Sequence, residues 1–232
     1  MLNFYDASAS DIMTFAQTFY KHHINNEQHQ SLEHLSNTLV KTLYDEFRSA
    51  DNQRLFGLVR VFRFGTFAEL PAELQASTQS QDQYWLSLLA TIGIEQAWCD
   101  RRRSQGHQII PADDYATPML RAAFQQIGLK IGGELKEGKI QIVKDKDLRL
   151  TGYFFVPTAG GSPYVPDQDF VKRYGIQSVV GLGAPSPNNS ALILLAFARF
   201  ALTEQDAEKF GEMSPFLMSV LSAYNLSGHL WS

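Results

Sequence analysis

The chain has 232 residues, 24 acidic and 20 basic, with six His and one Cys, and is 44% hydrophobic. That apolar content supports a packed core and excludes a disordered chain, and a single thiol excludes a disulfide framework or a multi-cysteine zinc site. A formal net charge of −4 gives no global attraction to nucleic acid or to an anionic membrane.

The first fifty residues read as helix. Asp6, Ser8 or Ser10 can cap a segment carrying Ile12, Phe15, Phe19 and Tyr20 on one face, and Ile24, Asn25 and Asn26 interrupt it. A second helix runs to about Arg48, with Leu32, Leu35, Leu39, Leu43 and Phe47 spaced by three and four, and Ser49 to Asn52 ends it. From Leu55 the pattern becomes that of a strand with two apolar faces, as in the centre of a sheet. After the polar residues Ser77 to Gln83, the run from Tyr84 to Ile94 reads as a second strand, and Trp98 to His107 as a polar loop.

Asp113 and Asp114 can cap a helix ending at Gly128, and Lys130 to Leu148 reads as a hairpin or excursion. Thr151 to Val156 is a short strand, and Asp167 to Tyr174 a short helix closed by Gly175. Strands follow at Ile176 to Leu182 and Ser190 to Ala201, joined by a turn at Pro185 to Asn189. Thr203 and Asp206 form a near-capping-box, ahead of a stripe of Ala207, Phe210, Met213, Leu217 and Leu221 that Pro215 should kink or split. The longest apolar run, Ala191 to Ala198, falls far short of the ~20 residues a membrane span needs, and Met1 to Ser10 has no secretory signal; a cytoplasmic setting is expected.

The segment Phe170-Val171-Lys172-Arg173-Tyr174-Gly175-Ile176-Gln177-Ser178-Val179-Val180-Gly181, followed by a turn, an apolar strand and a capped helix from Thr203, resembles the end of a GAF domain. Trp98 to Pro111 and Val156 to Pro166 resemble GAF-like sensory modules found as N-terminal input domains of bacterial sensor histidine kinases. The resemblance implies an α+β fold with a central antiparallel sheet flanked by helices, and with the N- and C-terminal helices packed together. It divides the chain into a helical extension, residues 1–50, and a sensory domain, residues 51–232. It further implies a small-molecule pocket of unknown ligand, a homodimer, and a histidine kinase output domain or partner. The alternative is a dimerisation or interaction scaffold with no ligand.

The strongest site candidate is the basic loop with Arg101, Arg102, Ser104 and His107, whose guanidiniums, hydroxyl and imidazole suit a phosphate or carboxylate. Ser162 and Tyr164 in the turn after Gly160 and Gly161, and the ring of Trp98, complete the candidate ligand-binding set. No catalytic residue and no metal site are expected, because no nucleophile or zinc motif is present. His23, His29 and His34 are spaced by six and five, which does not align them on one helical face, so they read as solvated positions. Cys99, flanked by Trp98 and Asp100, reads as an ordinary thiol and lacks the Cys-His pair of bilin-binding GAF domains.

Overall fold

A computed structural model describes residues 1–24, 29–78, 84–104, 107–111, 122–124, 129–130, 143–144, 152–186 and 190–232. The predicted helix over 113–128 lies outside these except at 122–124, which are helical.

The strands are β1 (Leu2–Asn3), β2 (Phe47–Arg48), β3 (Phe56–Thr66), β4 (Tyr84–Gly93), β5 (Ile109–Pro111), β6 (Leu129–Lys130), β7 (Val143–Lys144), β8 (Tyr153–Val156), β9 (Ser178–Ser186) and β10 (Ser190–Ala198). The helices are α1 (Ala9–His23), α2 (Leu32–Glu46), α3 (Ala72–Gln75), α4 (Gln168–Tyr174), α5 (Glu204–Gly211) and α6 (Ser214–Leu226). Six strands form one antiparallel sheet in the order β5-β4-β3-β10-β9-β8. The predicted excursion after Lys130 begins with β6 pairing antiparallel to β7.

Local grammar sets most boundaries. Ser8 caps α1 in a full capping box with Asp11, and Thr203 does the same for α5 with Asp206. Gly175 closes α4 at φ 64°, a left-handed conformation that glycine adopts without steric cost. Pro215 splits the last helical stretch: α5 ends at Gly211 and α6 begins at Ser214 with proline in its first turn. The second helix stops at Glu46, two residues short of the expected end, because Phe47 and Arg48 turn extended and pair with Leu2 and Asn3.

The sheet buries both faces. On one face α1, α2, α5 and α6 pack Ile12, Leu35, Leu39, Leu43, Phe210, Leu217 and Leu221 against Val59, Val61, Leu192 and Leu194, so the terminal helices share one core. Each such fully buried large side chain contributes roughly 1.5–3 kcal/mol. On the opposite face Leu58, Phe62, Phe64, Leu88, Ile193 and Leu195 meet Phe154, Val165, Val171 and Ile176.

A polar network stitches the helical face. Arg63, only 3% exposed in the middle of β3, donates from Nε to Asn225 Oδ1 of α6 at 2.6 Å and pairs with Glu69. Asn225 Nδ2 in turn donates to Ser186 Oγ at 2.6 Å and Ser190 Oγ at 2.9 Å, joining both ends of the β9–β10 connection. Asn225→Leu is expected to strand these buried groups and lower stability by about 2–3 kcal/mol, read as a drop of roughly 5–10 °C in Tm.

Candidate functional site

Two arginines stand three residues apart on β3, so they face opposite sides of the sheet. Arg63 is neutralised by Glu69 and Asn225 on the helical face. Arg60 lies among Leu58, Phe62 and Phe64 on the other face, 7% exposed, and no carboxylate among the described residues pairs with it. One guanidinium nitrogen donates to Ser104 Oγ at 2.9 Å, while Nε is buried with no partner. Burial pushes the Arg60 pKa down to about 10, so the group stays charged at neutral pH. A buried cation with no counter-ion among the described residues is costly.

The residue opposite Arg60 on β4 is Thr91, 2% exposed, and its Oγ1 also lacks a partner. Two orphaned polar groups therefore sit side by side on one sheet face. The loop after β4 supplies the remainder. Trp98 packs directly over Gly93, where an added Cβ would lie 2.7 Å from the indole. A tight turn follows, in which the Asp100 carbonyl accepts from Arg103 N at 3.1 Å and Ser104 N at 3.2 Å, and Asp100 Oδ1 accepts from Arg102 N at 2.9 Å. That turn drives Ser104 fully out of solvent and onto Arg60. His107 keeps an exposed edge, yet the protein packed around it and then the Arg60 charge hold its imidazole pKa below the usual range, with Asp167 acting in the opposite sense.

Of the residues singled out from sequence, Ser104 thus bonds to Arg60, and His107 lies near enough to feel its charge. Arg101 does neither: 4% exposed, it is bidentate to Glu33 (Nε to Oε1 at 2.6 Å, a second nitrogen to Oε2 at 3.2 Å), reaches Glu73 at 2.9 Å and lies 4.9 Å from the Trp231 ring. Burial disfavours its charge, but the hydrogen bonds and attraction of Glu33, then of Glu73, outweigh this and raise its pKa. Arg102 is half exposed and donates to the Ser232 carbonyl at 2.6 Å. Trp98 belongs to an interlocked aromatic wall with Phe170, Tyr174 and Phe197. Ser162 accepts from Tyr164 N at 3.2 Å within its own turn, and Tyr164 is 42% exposed; that turn leads to Asp167, whose charge reaches His107. Cys99 is exposed and lines an open cleft of about 400 Å³ with Glu33, Asn37, Lys41, Arg101 and Arg102. A larger cleft of about 750 Å³ between Tyr153, Ala184 and Met218 lies on the helical face and contains no orphaned polar atom.

Arg60 and Thr91 were not anticipated. Their signal is a guanidinium and a hydroxyl inside largely apolar strands that also carry Arg63 and Ser87, and only strand pairing shows that Arg60 and Thr91 stand opposite each other.

His23 and His29 also depart from the expectation of solvated positions, whereas His34 is exposed on α2 as expected. The α1–α2 junction brings His23 Nδ1 within 2.6 Å of His29 Nε2, and the His34 ring within 5.2 Å of the His29 ring. His23 and His29 are half-buried, with Tyr224 of α6 against the His29 ring. Among the described residues no group of three or more His, Cys, Asp or Glu is placed to hold a metal ion. Burial, followed by the charges of His23 and His34, pushes the His29 pKa down to about 4. A histidine depressed in the folded state supports stability above its unfolded pKa of ~6.5, and that support fades as pH falls toward 4. Urea midpoints are therefore expected to fall between pH 6.5 and 4, with a shallower fall in His29→Gln.

No protein-family model matches the chain, and no curated protein matches it significantly. Among solved structures, the GAF domain of a phosphoenolpyruvate-protein phosphotransferase from Coxiella burnetii superposes with a TM-score of 0.53 at 8% identity, covering 95% of this chain and 96% of that one. A phycocyanobilin-bound GAF domain from a cyanobacterial phytochrome gives 0.48 at 12% identity, covering 97% and 99% of the two chains. A phycoerythrobilin-bound GAF domain from a cyanobacterial phytochrome gives 0.46 at 11%, covering 97% and 100%. The six-stranded antiparallel sheet, its flanking helices and the near end-to-end superposition on the phosphotransferase domain together make the fold of this chain GAF-like.

Proposed function

We propose that the chain is a non-enzymatic sensory domain that binds a small anion on the sheet face opposite its terminal helices. Arg60 supplies the charge, Thr91 and Ser104 supply hydroxyls, and His107 closes the set. The carrying observation is Arg60 itself: a charged guanidinium, buried, with one nitrogen unused and no carboxylate beside it among the described residues. Guanidiniums match phosphate and carboxylate geometry, and in a low-dielectric setting such a contact is strong. Leu58, two residues along the same face from Arg60, pairs with Gly93 beneath Trp98, so the aromatic wall begins roughly 7 Å away. A ligand joining an anionic head to an apolar or aromatic body fits this layout. In this reading residues 1–50 are a helical extension to a sensory unit of residues 51–232, the setting is cytoplasmic, and the signal passes through terminal helices to an output domain or kinase partner, within a homodimer.

The test is a thermal-shift series with inorganic phosphate, pyrophosphate, small carboxylates and aromatic acids. A true ligand stabilises the fold by about 2.7 kcal/mol at a hundred times its Kd, and Arg60→Met abolishes the shift. If no anion shifts the wild-type chain and light scattering shows a dimer, the interaction scaffold replaces the sensor.

A further inference from the structure

The turn that holds Ser104 against Arg60 also holds the last residues of the chain. After α6, Gly228 to Ser232 run as an extended strap across the N-terminus of α2, where the His229 and Leu230 carbonyls accept from Leu32 N at 2.8 Å and Glu33 N at 2.9 Å. Trp231 Nε1 donates to the Glu69 carbonyl at 2.6 Å, and its ring lies 4.9 Å from the Arg101 guanidinium. Ser232 N donates to Glu33 Oε2 at 3.0 Å, and the Ser232 carbonyl accepts from Arg102 at 2.6 Å. Arg101 and Arg102 thus grip the strap directly or through Glu33, and Ser104, two residues on in the same turn, grips Arg60.

We infer that anion binding at Arg60 and docking of this strap are antagonistic, linked by the turn from Asp100 to Ser104. The inference rests on the anion-site reading above. An anion seated on the unused Arg60 Nε and on the Ser104 hydroxyl draws that hydroxyl away from its present place on the guanidinium, and a shifted Ser104 no longer holds the turn in the position from which Arg101 and Arg102 reach Glu33 and Ser232. The strap-docked and anion-bound states therefore make different contacts at one guanidinium, which is the differential interaction a switch requires. Coupling of this kind is reciprocal: loosening the strap must tighten the anion by the same factor. The strap continues directly from α6, the helix whose Asn225 joins the sheet, so its release reports the state of the site at α6.

Two measurements on the full chain decide it. Hydrogen exchange in the absence of ligand is expected to show the Leu32 and Glu33 amides exchanging about tenfold faster in Ser104→Ala than in wild type, while Asn225-side contacts stay protected. Unchanged exchange at both amides overturns the link, whatever the ligand. Phosphate titration of Trp231→Ala and of the milder Arg102→Gln is expected to show affinity raised about tenfold and about threefold over wild type. Phosphate binding with equal affinity to all three overturns the antagonism and leaves the anion site standing. Phosphate binding to none of them removes the anion reading, and the exchange result then decides the turn-to-strap link alone.

Discussion

Arg60→Met is expected to make the fold more stable while abolishing its response to anions. The methionine side chain fills a similar volume between Leu58 and Phe62 with no charge to desolvate, and in wild type no carboxylate among the described residues offsets that cost. Among the described residues the hydrogen bond lost is the one to Ser104, worth about 1 kcal/mol. A net gain of about 1–2 kcal/mol follows, seen as a Tm some 2–6 °C higher. Arg63→Met, three residues away, is expected to go the other way, because it leaves buried Asn225 and partly buried Glu69 without their partner. Opposite signs for two arginines on one strand would identify Arg60 as a group kept for binding. A destabilised Arg60→Met would mean that the guanidinium is already satisfied and would count against the site.

The second large effect belongs to Glu33. It is 2% exposed, bidentate to the buried Arg101, and also accepts from Ser232 N. Glu33→Ala leaves Arg101 with only the half-exposed Glu73 as counter-charge. Breaking a buried pair from one side costs about 3–5 kcal/mol, which lowers Tm by about 10 °C or more. The double variant Glu33→Leu with Arg101→Met is expected to recover most of that loss, since an apolar pair of comparable volume needs no compensation. Urea denaturation of the two single variants and the double closes the cycle. A loss below about 1 kcal/mol in Glu33→Ala would show the pair to be no stronger than a surface ion pair. Arg102, whose contacts to Glu33 and Glu73 are 3.7 and 4.0 Å at a half-exposed position, is expected to contribute little to stability.

The basic loop shows how far residue types lead. Three consecutive arginines followed by a serine and a histidine announce anion chemistry, but they do not say which of them is spent on the fold. Arg101 is the most buried of the three and is consumed by Glu33, a residue 68 positions away. The charge of the proposed anion site is that of Arg60, hidden in a strand whose largely apolar pattern gives no reason to single it out. The histidines illustrate the same limit from the other side. A helical-wheel argument treats His23, His29 and His34 as residues of one helix, whereas they meet across the junction of two.

By itself the sequence determined what depends on neighbours in the chain: the helix start at Thr203, the stop at Gly175, the apolar strands, and, to within Asp6, Ser8 or Ser10 and a kink or a split at Pro215, the first cap and the last break. These are set by capping hydrogen bonds, φ preferences and periodicity, all of which act over a few residues. The tertiary structure alone decided which buried charges are neutralised and which is left over. That outcome depends on Asn225 reaching Arg63 across 162 positions and on no carboxylate among the described residues reaching Arg60, and long-range pairing of this sort leaves no local trace.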